Sequence, residues 1–363
     1  MSSEMQCMSA ETSVRHSEKK SLIGRCIDIC AANPSKMVLT DGEDVRSIYA
    51  AIRLHNENLA QVTLLGRSQV VRALLRSESI KAGLADCSKC IGVLDPSDPD
   101  FLARNIADYM QIVRDAGKSA GEGEVREYMS TGPAAGAMLV RRGEVEVGIG
   151  GTVSSTSDMI RAGLRILGVA PGGRTISSFS FLVAPPYSRD ARKVLVFSDC
   201  GVVPEPNAEQ LFDIAIGAAE NFAYMTGEEP KVALLSFSSH GSAKHPRAKF
   251  VHEVAQAVRQ ARPAMLVDGE LQFDAAISPE VARAKAPGSP LKGEANVLIF
   301  PSLEAANIAT KVAERMGGYR GLGPLLQGLN GGWHDVSRGC SADDFYQVSL
   351  IGAVLARGTE QSK

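Results

Sequence analysis

The chain has 363 residues, 44% of them hydrophobic and 22% charged, and a formal net charge of -2. That length outgrows one hydrophobic core and predicts two α/β-sized domains, while the near-zero charge, without a basic run interleaved with aromatics, excludes a nucleic-acid backbone as ligand. No apolar stretch reaches the roughly 18–20 residues needed to cross a bilayer, and residues 1–20 lack the apolar centre of a signal peptide; a cytoplasmic protein with a disordered leader over 1–20 and no membrane partner is expected.

After the leader, a segment carrying Cys26 and Cys30 reads as helix. Apolar runs then alternate with helical periodicity: strand Met37–Thr40, helix Asp44–Leu59, strand Val62–Leu65, helix Gln69–Leu75 and strand Ile91–Leu94. That βαβαβ order predicts a parallel sheet. Helices follow over Asp100–Ala116 and Gly123–Arg142, then strand Val145–Gly148 running into Ile149-Gly150-Gly151-Thr152. Between Arg174 and Phe197 the pattern turns β-rich and predicts the crossing into a second domain. Helix Asn207–Thr226, strand Val232–Ser236, helix Ala248–Ala261, strand Met265–Val267, a helix ending near Ala286, strand Asn296–Phe300 and helix Ala305–Met316 complete it. The amphipathic stretch Ser341–Ala356 is expected to return to the first domain, giving domain I as 21–172 plus 331–363 and domain II as 173–330.

Seven cysteines, an odd number in a chain without an export signal, point to free thiols. Cys87 and Cys90 have a metal-like spacing, but the other close pair, Cys26 and Cys30, lies on the helical segment; no metal site is expected.

Two glycine-rich patterns fail as nucleotide motifs. In Gly148-Ile149-Gly150-Gly151 the third glycine of a dinucleotide fingerprint would fall on Val153, and before Gly117-Lys118-Ser119 the first P-loop glycine would be Ile112. The run Ser154-Ser155-Thr156-Ser157-Asp158 leads into a helix carrying Arg161, which reads either as ordinary N-capping or as a phosphate seat with hydroxyls, free amides and a guanidinium one turn inside. Ser242 and Lys244 stand in a second Ser/Gly-rich turn after a strand, with His240 and His245 read equally well as surface residues.

The richest stretch runs from His334 to Asp344. Arg338 offers fixed donors to a planar oxyanion, Ser337 a hydroxyl, Cys340 a thiol, and Gly339 a close backbone approach. Ser341 followed three residues later by Asp344 is also the pattern of a capping box at a helix start. The two readings are compatible.

Several segments together resemble the phosphate acetyltransferase and phosphate butyryltransferase family: Leu235-Ser236-Phe237-Ser238 with Gly241–Pro246, Asp268–Gln272 with Asp274-Ala275-Ala276, Lys285–Pro290, Ala295–Pro301 and Ser337–Ser341. The likeness runs over roughly residues 35–360. It implies two three-layer α/β/α domains with mainly parallel sheets and an active-site cleft between them, a homodimer, and acetyl transfer between coenzyme A and inorganic phosphate. Acetyl-CoA, CoA, phosphate and acetyl phosphate are then the ligands, with no tightly bound cofactor and no metal. By motif, Ser337, Arg338 and Asp344 are the implied catalytic group, with Asp344 as base. Arg161 and Arg114 match phosphate or coenzyme A positions, and Ser154, Ser155, Ser157, Ser242, Lys244 and Cys340 complete the implied substrate-binding set. The chain departs from the family pattern at Gly331-Gly332-Trp333-His334, where Lys-Pro-x-Asn is usual, and at Ser154, where His is common. The alternatives are the same chemistry on propanoyl or butanoyl phosphate, a Cys340 acyl-carrier route, and a non-catalytic acetyl-CoA sensor.

Overall fold

The computed structural model describes residues 21–188 and 194–361. The leader expected over 1–20 lies outside them. The chain divides into unit 1, up to Gly168 plus Gly331 onward, and unit 2, Val169–Asn330. The first division falls at Gly168 rather than at residue 172 because Val169 already bridges Leu329 of unit 2.

Unit 1 is built in chain order from α1 (Leu22–Ala32), β1 (Ser35–Leu39), α2 (Val45–Asn56), β2 (Ala60–Leu65), α3 (Ser68–Lys81), β3 (Gly92–Leu94), α4 (Pro99–Asp115), α5 (Glu122–Met129), α6 (Gly132–Arg141), β4 (Val147–Gly150) and α7 (Thr156–Ala162). The single helix expected over Gly123–Arg142 is two helices. Thr131 caps the second by accepting the Ala134 amide, and Pro133 sits in its first turn, where its missing N–H costs nothing.

The chain returns to unit 1 as β11 (Gly332–Asp335) and α13 (Ala342–Gln361), after the unit 2 elements named below. The five strands are all parallel in the order β11-β4-β1-β2-β3. The sequence hides β11 behind Gly331 and Gly332, which carry no side-chain pattern. Trp333 packs toward Gly136 of α6 and His334 toward Gly352 of α13. Because successive strand residues face opposite ways, these helices cover opposite faces and the unit has three layers. The last segment packs in unit 1, where α13 is anchored on α2 by Arg53, which donates to Asp343 at 2.9 Å and lies 3.8 Å over the Tyr346 ring.

Unit 2 comprises β5 (Ser177–Val183), β6 (Val194–Ser198), α8 (Ala208–Thr226), β7 (Lys231–Leu235), α9 (Pro246–Ala261), β8 (Leu266–Leu271), α10 (Phe273–Ile277), α11 (Pro279–Lys285), β9 (Val297–Ile299), α12 (Leu303–Arg315) and β10 (Arg320–Gln327). The sheet order is β10-β5-β6-β9-β7-β8, with β10 and β5 antiparallel to their neighbours and the rest parallel. Ala233 and Leu235 of β7 join one core with Ala275 and Ala306, while Leu234 packs on the other face near Ala255 of α9. The helix expected to end near Ala286 is broken at Ser278-Pro279 into α10 and α11. The strand β10 was hidden because Gly321, Gly323 and Pro324 interrupt its apolar run.

Trp333 is fully buried, and its indole N–H donates to the Met159 carbonyl at 2.9 Å. A β-carbon on Gly148 would lie 2.3 Å from the indole ring. The departure at Trp333 is therefore a packing solution that a glycine on the adjacent strand makes possible. Gly148→Ala should destabilise the protein by roughly 1–3 kcal/mol through overpacking, read as a lowered urea midpoint with unchanged slope.

Candidate active site

The C-terminal ends of β1, β4 and β11 are neighbours, and the chain leaves β1 toward β2 on one side while β4 and β11 lie on the other. This is the switch point at which open parallel sheets leave a crevice for ligands. Three segments meet there: Thr40–Asp44 after β1, Gly151–Ser157 after β4, and Val336–Ser341 after β11.

Asp41 organises the second segment. Its Oδ2 accepts the Gly151 amide at 2.8 Å, the Thr152 hydroxyl at 3.2 Å and the Val153 amide at 3.2 Å, and its Oδ1 accepts the Ser154 hydroxyl at 2.5 Å. Ser154 is thus a strut between strand ends. Arg46, in the first turn of α2, ties in the third segment: its guanidinium donates to the carbonyls of Arg338 at 2.7 Å, Cys340 at 3.3 Å and Thr152 at 2.8 Å, and is held by Asp44 at 2.8 Å. A planar fork of five donors suits this bridging role, which an ammonium could not fill.

Ser337 and Arg338 are exposed on the turn after β11. The Ser337 hydroxyl accepts the Gly339 amide at 3.2 Å, and its carbonyl accepts the Cys340 amide at 2.9 Å, closing a tight turn. Asp344 stands in the first turn of α13. Its Oδ2 accepts the Ser341 amide at 3.1 Å and hydroxyl at 2.7 Å, while Ser341 Oγ accepts the Asp344 amide at 3.1 Å. The capping box read in the sequence is present, and its acid is the proposed base.

Burial pushes the Cys340 thiol above its ordinary pKa, against the lowering influence of Arg46. That disfavours the thiolate an acyl carrier would need.

Ser155 N-caps α7. Its hydroxyl reaches Ser157 Oγ at 2.7 Å and donates to Asp158 Oδ2 at 2.6 Å, and Arg161 donates to Asp158 Oδ1 at 2.6 Å. The capping reading of the Ser-rich run is thus met by Ser155, while Ser154 and Asp158 of the run line a cavity of about 470 Å³ with Arg161, Arg165, Tyr128 and the acidic Glu124 and Glu127. Arg165, which the motifs do not single out, lies 5.5 Å over the Tyr128 ring. Arg114 lies near the C-terminal end of α4, exposed and donating to Gln111 at 2.7 Å; it is not among the residues lining this cavity.

Ser242 and Lys244 belong to unit 2. The Ser242 hydroxyl accepts the Ser239 amide at 3.1 Å and meets Ser238 Oγ at 3.2 Å, and Lys244 is exposed. His240 pairs with the buried Asp268 at 2.9 Å, and His245 caps α9 by accepting the Arg247 amide at 3.2 Å.

Asp41, Arg46 and Asp335 are the residues here to which the sequence reading assigns no role. A carboxylate one residue beyond a strand and followed by glycine, Thr40-Asp41-Gly42, was the available signal. Asp335 is 1% exposed, and its carboxyl is pushed up to about 7 by burial first and the charge of Asp41 second, against a hydrogen bond from Thr156 and the charge of Arg338.

With these geometries in hand, comparison with known proteins is decisive. Residues 21–353 match the phosphate acetyl/butaryl transferase family. The chain belongs to that family. It is 37% identical over 339 residues to a phosphate acetyltransferase of Acetivibrio thermocellus, covering 93% of this chain and 98% of that protein. It is 39% identical over 321 residues to one of Paracoccus denitrificans, covering 88% and 95%. A phosphotransacetylase structure from Streptococcus pyogenes superposes with a TM-score of 0.83 at 35% identity, covering 93% of this chain and 98% of that one. The α/β class with mainly parallel sheets read from the sequence agrees with these neighbours.

An acid whose folded pKa lies above its unfolded value favours folding most when protonated. The stability associated with Asp335 is thus fully present below ~4, is lost as pH rises toward about 7, and is constant above. Asp335→Asn should gain unfolding free energy over the native protein across that window, by a few kcal/mol at ~1.4 per unit, measured by urea unfolding at a series of pH values. A pH-independent difference would contradict the ionisation.

Proposed function

We propose that this protein transfers an acetyl group reversibly between coenzyme A and inorganic phosphate, by direct attack with both substrates bound. The observation that supports the reading is that β4 and β11 are neighbours, the hydroxyl-rich loop leading to Arg161 following the first and the exposed Ser337–Arg338 turn, with Asp344 in the helix after it, following the second. The names of the relatives support acetyl as the acyl group, whereas the family description spans longer chains as well.

Toward acetyl-CoA, the thiol of coenzyme A attacks the carbonyl carbon of acetyl phosphate. Its S–H proton passes to Asp344, a carbon–sulfur bond forms, and the carbon–oxygen bond to phosphate breaks. A thiol near ~8.5 and an ordinary Asp near ~3.9 are mismatched by roughly 6 kcal/mol, so the attack depends on cationic neighbours that favour the thiolate. Arg338, with the Ser337 hydroxyl as donor, stabilises the carbonyl oxygen as it gains charge, a contribution commonly worth about 3–4 kcal/mol per donor. Arg161 leaves Asp158 to hold phosphate or the coenzyme's phosphates, and Arg114 is a second guanidinium for the same charge. Coenzyme A is a substrate in this scheme.

Thiol release from acetyl-CoA should require phosphate, and rates compared across acetyl, propanoyl and butanoyl substrates should be highest for acetyl, with about 1–3 kcal/mol separating successive chain lengths. Binding of coenzyme A with no phosphate-dependent release would point instead to a sensor. Asp344→Asn retains an oxygen acceptor for the cap yet should lower turnover by about 100-fold or more with little change in KM. Cys340→Ala should stay active; its loss of activity would revive the acyl-carrier route.

A further inference from the structure

Asp335 is a buried carboxyl at this sheet end that the acyl-transfer scheme leaves without a task. It closes β11 two residues before Ser337, and its Oδ1 has no hydrogen-bond partner among the described residues. Its surroundings tie three segments together. Thr156, at the start of α7, and Arg338, in the following turn, both act on the carboxyl to lower its proton affinity, against burial. Gly151 runs so close that a β-carbon there would lie 2.1 Å from Oδ1 and 2.6 Å from the Val336 carbonyl.

The charged groups facing it are Asp41, from the end of β1, and Arg338. On the β4 side it meets the backbone of Gly150 and Gly151. The helices α6 and α13 approach β11 through Gly136 at Trp333 and Gly352 at His334, the latter ring lying on the strand face opposite Asp335. Asp41 is committed to the amides and hydroxyls of residues 151–154. Burial, with the charge of Asp41 nearby, raises the proton affinity of Asp335 and favours its neutral form.

We propose that Asp335 is a positioning residue: its neutral carboxyl seats the Ser-rich loop against the Ser337–Arg338 turn and leaves the Arg338 guanidinium open to phosphate, and its ionised form draws that guanidinium inward. The inference rests on the acyl-transfer reading of Arg338. An ionised Asp335 repels Asp41, finds its counter-charge in Arg338, and places negative charge beside an anionic substrate. Use of phosphate therefore declines as the pH rises through about 7, where the group titrates.

Two readouts test this from about pH 6 to about 9. One is kcat/KM for phosphate in thiol release from acetyl-CoA, taken as the ratio of Asp335→Asn to the native enzyme so that the titration of phosphate itself cancels. The other is the emission of Trp333, the chain's single tryptophan, two residues away on the same strand face. The ratio should be flat on the acid side and rise by about tenfold per pH unit above about 7, because the amide is a neutral isostere of the acid. Native emission should titrate with the same midpoint and the variant's should not. Asp335→Ala, which unseats the loop, should lose roughly 10–100-fold at every pH.

A ratio independent of pH, or an emission titration that persists unchanged in Asp335→Asn, overturns the proposal. A native protein without phosphate-dependent thiol release at any pH overturns the acyl-transfer reading instead, and the emission titration then decides the role of Asp335 by itself.

Discussion

Asp41 lies two residues beyond Leu39, the last of β1, and its two oxygens gather the loop that follows β4, accepting from Gly151, Thr152, Val153 and Ser154. A carboxylate that accepts several backbone amides behaves as an anchored anion, so the loop's path is dictated by the neighbouring strand and not by its own sequence. The direction of Ser155 and the start of α7 follow from that path. Arg161 is placed in turn, because it lies within the single short helix that Ser155 caps. Arg46 performs the complementary task with the opposite charge, collecting carbonyls from the two loops that Asp41 and β11 leave behind.

The division of labour among acidic groups at this sheet end follows from how much water and how many donors each one keeps. Asp41 is buried among donors that fix its place. Asp335 is buried with Oδ1 unpartnered among the described residues, and burial dominates its titration. Asp344 is only partly buried, and one of its oxygens is engaged by a helix cap. Of the three aspartates at this sheet edge, Asp335 is the one whose proton affinity burial raises, a local effect of the kind by which one fold gives its carboxyls different tasks.

Much of this could be read from residues alone. The strands β1 to β4 are short apolar runs between amphipathic helices, and local pattern suffices for them. The strands β10 and β11 were invisible because glycine and proline occupy positions where a side-chain pattern would show, and their pairing is supplied by long-range partners such as β5 and β4. The helix break before α6 was legible in principle from Thr131 and Pro133, and an unbroken run of small and apolar residues concealed it. At the candidate site, Ser337, Arg338, Asp344 and Arg161 stand in local motifs, which is why the sequence singles them out. Asp41 and Arg46 act across more than a hundred residues of chain, on Thr152, Ser154 and Cys340, and no spacing rule connects them.

The glycines of β4 also bear on how the protein is made. Unit 1 is discontinuous, so β4 waits for β11 until all of Val169–Asn330 has been synthesised, a delay on the order of ten seconds at ~5–20 residues per second. During that interval the nascent sheet ends in an unpaired edge, which is a template for association with other chains. That edge is short, four residues from Val147 to Gly150, and glycine at two of them weakens it further. The gap beside Gly148 stays unfilled until Trp333 arrives with β11.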